Sequence, residues 1–249
     1  MHKLTSARVT ISLLVGTSLI FIGCAEGLPD GATIAKSSVS TGITMPSPLK
    51  PGNCRRMSDG LRCDVVRDGA VVSTTMIDNF SDALGWNAPE HTETFRYGDI
   101  DGDGADDVCA RGNAGMICYF WRTDRFDGPY DSMLLSDSNG WTQPQYYKTI
   151  GLADVDGDGR VDLCARAEAG ILCWPSTGTG FRSTAYVGPS LSDTNGWDNP
   201  MYYESIRYGD RNNDGRADVC SLQSDGYRHC WLFNGTAFAS SSVLESNLN

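Results

Sequence analysis

A nine-residue acidic segment occurs three times in this chain, and its spacing limits the possible folds more than any other feature. The copies are Asp99-Ile100-Asp101-Gly102-Asp103-Gly104-Ala105-Asp106-Asp107, Asp154-Val155-Asp156-Gly157-Asp158-Gly159-Arg160-Val161-Asp162 and Asp210-Arg211-Asn212-Asn213-Asp214-Gly215-Arg216-Ala217-Asp218. Each sets side-chain oxygens at positions 1, 3, 5 and 9 and a glycine at position 6. Alternation turns every second side chain inward, which suits a hard cation that takes several oxygen ligands. The glycine permits the sharp turn that such a wrap requires. An acidic surface turn, which Asp and Gly favour for local reasons, is the lesser reading even of one copy; three copies at matching places in a repeat favour the cation further. An EF-hand needs Glu at position 12, and here that position is Ala110, Ala165 or Ser221. The flanks Thr94-Phe95-Arg96-Tyr97 and Val108-Cys109-Ala110 have the composition of strands, not helices.

The expectation is therefore a Ca²⁺ loop inside a β-hairpin, three times over, with structural ions. The expected ligands are Asp99, Asp101, Asp103 and Asp107, then Asp154, Asp156, Asp158 and Asp162, then Asp210, Asn212, Asp214 and Asp218. The carbonyls of Ala105, Arg160 and Arg216 at position 7 complete the sets.

The acidic loops sit in a longer repeat. Eight of the nine cysteines form local pairs, Cys54 with Cys63, Cys109 with Cys118, Cys164 with Cys173 and Cys220 with Cys230. Their first members recur every 55 or 56 residues, a period that signals a propeller or an array. A full unit reads as a block Ser-Asp-x-x-Gly-Trp-x-x-Pro, an inner strand, the acidic loop, a Cys-bearing hairpin and an outer strand. The inner strand is expected at 93–97, 148–152 and 204–208, and the outer strand at 132–135, 185–187 and 242–245. A two-residue turn at Asn113-Ala114 places Cys109 opposite Cys118, near disulfide reach. Zinc thiolates are the other reading of paired cysteines, but no His or CxxC spacing supports them. Each bridge closes a short loop, worth roughly 2–3 kcal/mol in the chain-entropy model.

The first unit is truncated: it has the Cys hairpin and an outer strand at 70–74 but no acidic loop and no inner strand. The expected fold is all-β, a propeller of four blades with the first one partial, divided 51–80, 81–135, 136–191 and 192–249. A single ring, an open arc and a larger ring completed by a second copy all satisfy this count.

Before the repeats, Lys3 and Arg8 precede an apolar run from Val9 to Ile22 that ends at Gly23-Cys24. Residues 1–23 thus read as a targeting segment, and Phe21-Ile22-Gly23-Cys24 resembles a bacterial lipoprotein signal in which Cys24 carries the lipid. An ordinary cleaved signal peptide is the alternative. Both imply export to an oxidising compartment, where disulfides persist; lipidation also accounts for the ninth cysteine. Residues 24–50, rich in Ser, Thr, Gly and Pro, read as a tether to the cell envelope. A formal net charge of −11 makes nucleic acid and anionic membrane surfaces poor partners, so the only membrane contact expected is the lipid.

The acidic loops between strands resemble the FG-GAP/VCBS repeat of integrin-type β-propellers and many secreted bacterial proteins. With the Trp block and the paired cysteines, residues 52–245 resemble the branch that includes the Psathyrella-type, N-acetylglucosamine-binding propeller lectins. That resemblance implies carbohydrate recognition, although those lectins have larger rings than the four units found here.

Enzyme chemistry finds little support. The histidines His2, His91 and His229 do not recur between units, and no nucleophile motif such as Gly-x-Ser-x-Gly is present. The loops look filled by protein oxygens, whereas a catalytic metal needs an open position. For binding, Trp86, Trp141 and Trp197 recur beside Asn139 and Asn195 and are followed by Tyr146 and Tyr202. Aromatic faces beside amides and hydroxyls suit a sugar, while recurring Trp residues also serve as packing between blades. Arg111 and Arg166 are further candidates, or pair with nearby Asp. Two functions follow: glycan recognition at the cell envelope, or a protein-interaction module with purely structural calcium. Buried Trp141 and Trp197 would favour the second.

Overall fold

The structure, a computed structural model, describes residues 47–245, with side chains described to residue 239. The targeting segment, Cys24 and nearly all of the tether lie outside those residues. Among the described residues no helix is long and apolar enough to cross a membrane.

Four antiparallel sheets follow one another along the chain in a propeller-like arrangement. The first has three strands, β1 (Lys50–Met57), β2 (Gly60–Arg67) and β3 (Ala70–Ile77). The second runs β4 (Arg96–Gly98), β5 (Asp107–Gly112), β6 (Gly115–Arg122) and β7 (Arg125–Ser132). The third runs β8 (Gly151–Ala153), β9 (Asp162–Ala167), β10 (Gly170–Trp174) and β11 (Tyr186–Val187). The fourth runs β12 (Arg207–Gly209), β13 (Asp218–Leu222), β14 (Arg228–Phe233) and β15 (Phe238–Glu245). The inner strand of each four-stranded sheet precedes an acidic loop, and among the described residues the first sheet has neither.

Register follows from the tight turns between the second and third strands. Cys109 faces Cys118, Cys164 faces Cys173 and Cys220 faces Cys230, while in the first sheet Cys54 faces Cys63. All four pairs are disulfides, with Cα–Cα distances of 4.0 to 4.1 Å. Such short separations mark the non-hydrogen-bonded pairs of an antiparallel ladder.

Two strand expectations need correction. The residues assigned to the start of the inner strands instead complete the short helices α1 (Pro89–Thr92), α2 (Pro144–Tyr147) and α3 (Pro200–Tyr203), and the strands begin later. Pro at the first helical position explains these helices, because it has no N–H to lose there and its φ suits the helix. The outer strand of the second sheet ends at Ser132, where 132–135 was expected. Leu135 instead turns the chain with φ 62° and buries its side chain.

Apolar clusters join consecutive sheets. Leu61, Cys63 and Phe80 meet Trp86, Val108 and Tyr119. Cys109, Met116 and Phe120 meet Trp141, Leu163 and Trp174. Cys164, Ile171 and Leu191 meet Trp197, Val219 and Phe233. Each joint thus sets the Cys-bearing face of one sheet against the back of the next. Among the described residues, none of these clusters joins the fourth sheet to the first.

Candidate functional site

The acidic loops wind around the position-1 carboxylate. Asp99 accepts the N–H groups of Gly102 at 2.7 Å, Asp103 at 3.1 Å and Gly104 at 2.8 Å. Asp154 repeats this with Gly157, Asp158 and Gly159, and Asp210 with Asp214 and Gly215. Position 4 also needs a left-handed backbone, a demand absent from the sequence reading. Gly102 and Gly157 meet it with φ near 80°, and in the third loop Asn213 adopts φ 58°. Asn is one of the few side chains that tolerates this region.

Carboxylate oxygens of Asp99, Asp101 and Asp103 lie within 4.8 Å of one another, as do those of Asp154, Asp156 and Asp162. Three carboxylates this close repel unless a cation sits among them. In the first loop Arg122 supplies charge, pairing with Asp101 and lying 3.8 Å from Asp103. In the second, Oδ1 of Asp156 is buried and has no hydrogen-bond partner. Burial, then Asp158 and Asp154, push that carboxyl up from its ordinary value. A buried, unpartnered oxygen among acids fits a hard-cation site. Asp158 itself pairs with Arg160. In the third loop Asn212 replaces an acid, its Nδ2 donating to Asp214 at 3.0 Å, and Arg216 pairs with Asp214.

The position-9 aspartates are fully buried and bracket the loop to the sheet. Asp107 accepts from the backbone N–H of Ile100 and of Trp121, Asp162 from Val155 and Ser176, and Asp218 from Arg211 and Phe233. Burial outweighs these bonds, raising Asp107 to about 7 and Asp162 to about 6, and shifting Asp218 upward. Each oxygen accepts one N–H, so a second lone pair on each is open to an ion.

The tryptophans form no exposed platform. Trp86, Trp141 and Trp197 are 5%, 7% and 5% exposed. Trp86 meets Phe80 edge-on at 4.6 Å, Trp141 meets Trp174 at 6.3 Å, and Trp197 lies 5.6 Å from Tyr202. They wedge the joints, which is the packing role weighed for these rings beside sugar contact, and leave little indole face open to a ligand. Asn139 and Asn195 are exposed, and Tyr146 and Tyr202 are half-buried.

Arg111 and Arg166 are wholly buried and pair with Asp137 and Asp193 of the following Ser-Asp block. Arg111 also donates to the carbonyls of Leu135 at 2.8 Å and Glu90 at 3.2 Å, and Arg166 to those of Leu191 at 2.7 Å and Gln145 at 3.2 Å. Arg56, two residues after Cys54 as Arg111 is after Cys109, pairs with Asp82 in the same way. An Arg at Cys+2 is the sequence signal common to the three units. At the last joint the Tyr146 hydroxyl donates to Asp193 at 2.6 Å, and the Arg166 guanidinium lies 5.5 Å from the Tyr146 ring centre. Burial and that bond raise Tyr146 to about 12. Asp193, only partly covered, and the exposed Asn195 thus belong to one short 3-10 turn, Asp193–Asn195, as Asp137 and Asn139 belong to another, Asp137–Asn139.

Residues 99–165 match the FG-GAP-like repeat family. No curated protein matches the chain. Among solved structures, an Agrocybe aegerita lectin described for specific recognition of non-reducing terminal N-acetylglucosamine is 22% identical with a TM-score of 0.61. The match covers 73% of this chain and 45% of the lectin chain, so the chain spans less than half the length of that structure. The Photorhabdus luminescens Tc holotoxin pore is 17% identical with a TM-score of 0.49, over 84% of this chain and 10% of the toxin chain.

Proposed function

We propose that this is an exported carbohydrate-binding module, tethered to the cell envelope through Cys24 and stabilised by Ca²⁺ in its acidic loops, without catalytic activity. The observation that carries the sugar reading is the polar 3-10 turn repeated beside two joints. There a buried guanidinium fixes an aspartate, Asp137 or Asp193, beside an exposed amide, Asn139 or Asn195. A fixed carboxylate accepts from sugar hydroxyls and an amide both donates and accepts, which orients a neutral saccharide. The propeller-lectin likeness supports this reading. N-acetylglucosamine is the first sugar to try.

Bound Ca²⁺ would neutralise the loop carboxylates and hold the loops in their wound form. Asp154, Asp156 and Asp162 are the strongest site, because Asp156 brings an unpartnered oxygen. The first loop competes with Arg122, and the third has one acid fewer.

A glycan array read with Ca²⁺ and again after chelation tests the proposal. Binding to a defined sugar, lost on Asn195→Ala together with Asn139→Ala, exposed positions outside the buried ion pairs, is the expected result. No binding from a folded, calcium-loaded sample would remove it. Burial of the three tryptophans favours the second reading, a protein-interaction module, and such a blank array would leave that one standing.

A further inference from the structure

We infer that the first sheet accepts an extended peptide strand along the open edge of β1. In the three complete sheets that edge is filled: Arg96 lies opposite Cys109, Gly151 opposite Cys164 and Arg207 opposite Cys220. On β1 no described strand lies there. Cys54 and Cys63 form a close pair, Cα to Cα 4.0 Å, so the N–H and C=O of Cys54 point away from β2 and toward the side where no described strand lies. A cavity of about 210 Å³ occupies the place of the missing strand, lined by Pro51, Gly52, Asn53, Cys54, Tyr97 and Asp106.

The neighbouring sheet specifies what fits. Tyr97 on β4 and Tyr208 on β12 hold the same register position. Tyr208 lies over Gly151 of the preceding inner strand, where a Cβ would come within 2.6 Å of the ring, and its hydroxyl donates to the Thr149 carbonyl at 3.1 Å. Tyr97 has no such strand beneath it among the described residues and is 42% exposed. The occupant is therefore a strand antiparallel to β1 with glycine opposite Cys54, so that Tyr97 can close over it. The Gly-Leu-Ala of β8 is the pattern within this chain. Main-chain hydrogen bonds would supply affinity and the glycine selectivity, as in strand addition generally.

The test is hydrogen exchange on the full chain with a synthetic peptide reproducing residues 149–154. Exchange at residues 52–54 should slow on titration. N-methylation of the peptide glycine, or its replacement by valine, should weaken binding about tenfold, as should Tyr97→Ala in the protein. Tyr97 lies at the surface, so that variant folds; it is also outside the proposed sugar site, so the outcome is independent of the glycan array. Unchanged exchange at millimolar peptide, or equal protection by the N-methylated peptide, would overturn the inference. Protection that grows with protein concentration in the absence of peptide would place a second copy at the edge and overturn it too.

Discussion

At the scale of single residues, the arginine clasps carry more of the joints than their exposed partners suggest. Arg166 satisfies two backbone carbonyls and one carboxylate from a position with no solvent access. Removing one member of a buried charged pair leaves the rest uncompensated, at a cost of about 3 kcal/mol or more. Arg166→Met should therefore lower chemical-denaturation stability by that amount, whereas Arg125→Met, at an exposed pair with Asp124, should change it little. Trp141→Ala should cost about 3–5 kcal/mol through the cavity it leaves. Sugar affinity, measured on the fraction that remains folded, should not change. A loss of affinity with intact stability would return the indole to the binding surface. The sequence could pose this alternative but not settle it, because burial of Trp141 depends on Trp174, more than thirty residues away in the neighbouring hairpin.

At the scale of elements, the acidic loop and the Cys hairpin were legible because their constraints are local. Oxygen spacing, a glycine and a nine- or ten-residue cysteine separation all lie within one hairpin. The helices α1, α2 and α3 were missed because each is four residues long, too short for a periodic apolar pattern, and only the Pro announced them. The dual role of the position-9 aspartates was also hidden, since it needs the N–H of a strand beyond the hairpin turn. That role has a pH signature. Asp107 and Asp162 are raised to about 7 and about 6, above the ordinary unfolded carboxyl. Without calcium, the folded protein then binds more protons than the unfolded chain between about pH 4 and 7. That contribution is present in acid and is lost as pH rises through the folded values. With calcium, the ion favours the ionised carboxylates and the trend reverses. Thermal unfolding from pH 5 to 7.5, with chelator and with Ca²⁺, should give opposite slopes; the same slope in both would contradict the loop assignment.

At the scale of the whole molecule, the outer faces of the first and fourth sheets differ from the joints between consecutive sheets. On the back of the second sheet Ala110, Ile117 and Tyr119 pack against the first sheet. The same register positions on the back of the first sheet are Arg55, Arg62 and Asp64, with Arg62 lying 3.6 Å from Asp59. On the Cys-bearing face, Leu61, Met116 and Ile171 are buried, and the corresponding residue of the fourth sheet is Arg228. Charged faces resist stacking, as in the terminal repeats of solenoids. Replacing Arg62 by Ile and Asp64 by Tyr should create a sticky face and a concentration-dependent rise in sedimentation coefficient. The repeat period announced four units, but whether they close depends on contacts between the most distant of them, which no local spacing encodes.

The central claim is that the acidic loops hold calcium and that the ion stabilises the folded repeats. Calorimetric titration of the chelator-treated protein with Ca²⁺, paired with Asp156→Asn, tests it most directly. The account predicts saturable binding at the loops, the tightest step weakened by Asp156→Asn, and a stability gain of about 2.7 kcal/mol at a hundredfold excess over Kd. No binding heat and no change in unfolding temperature would contradict it.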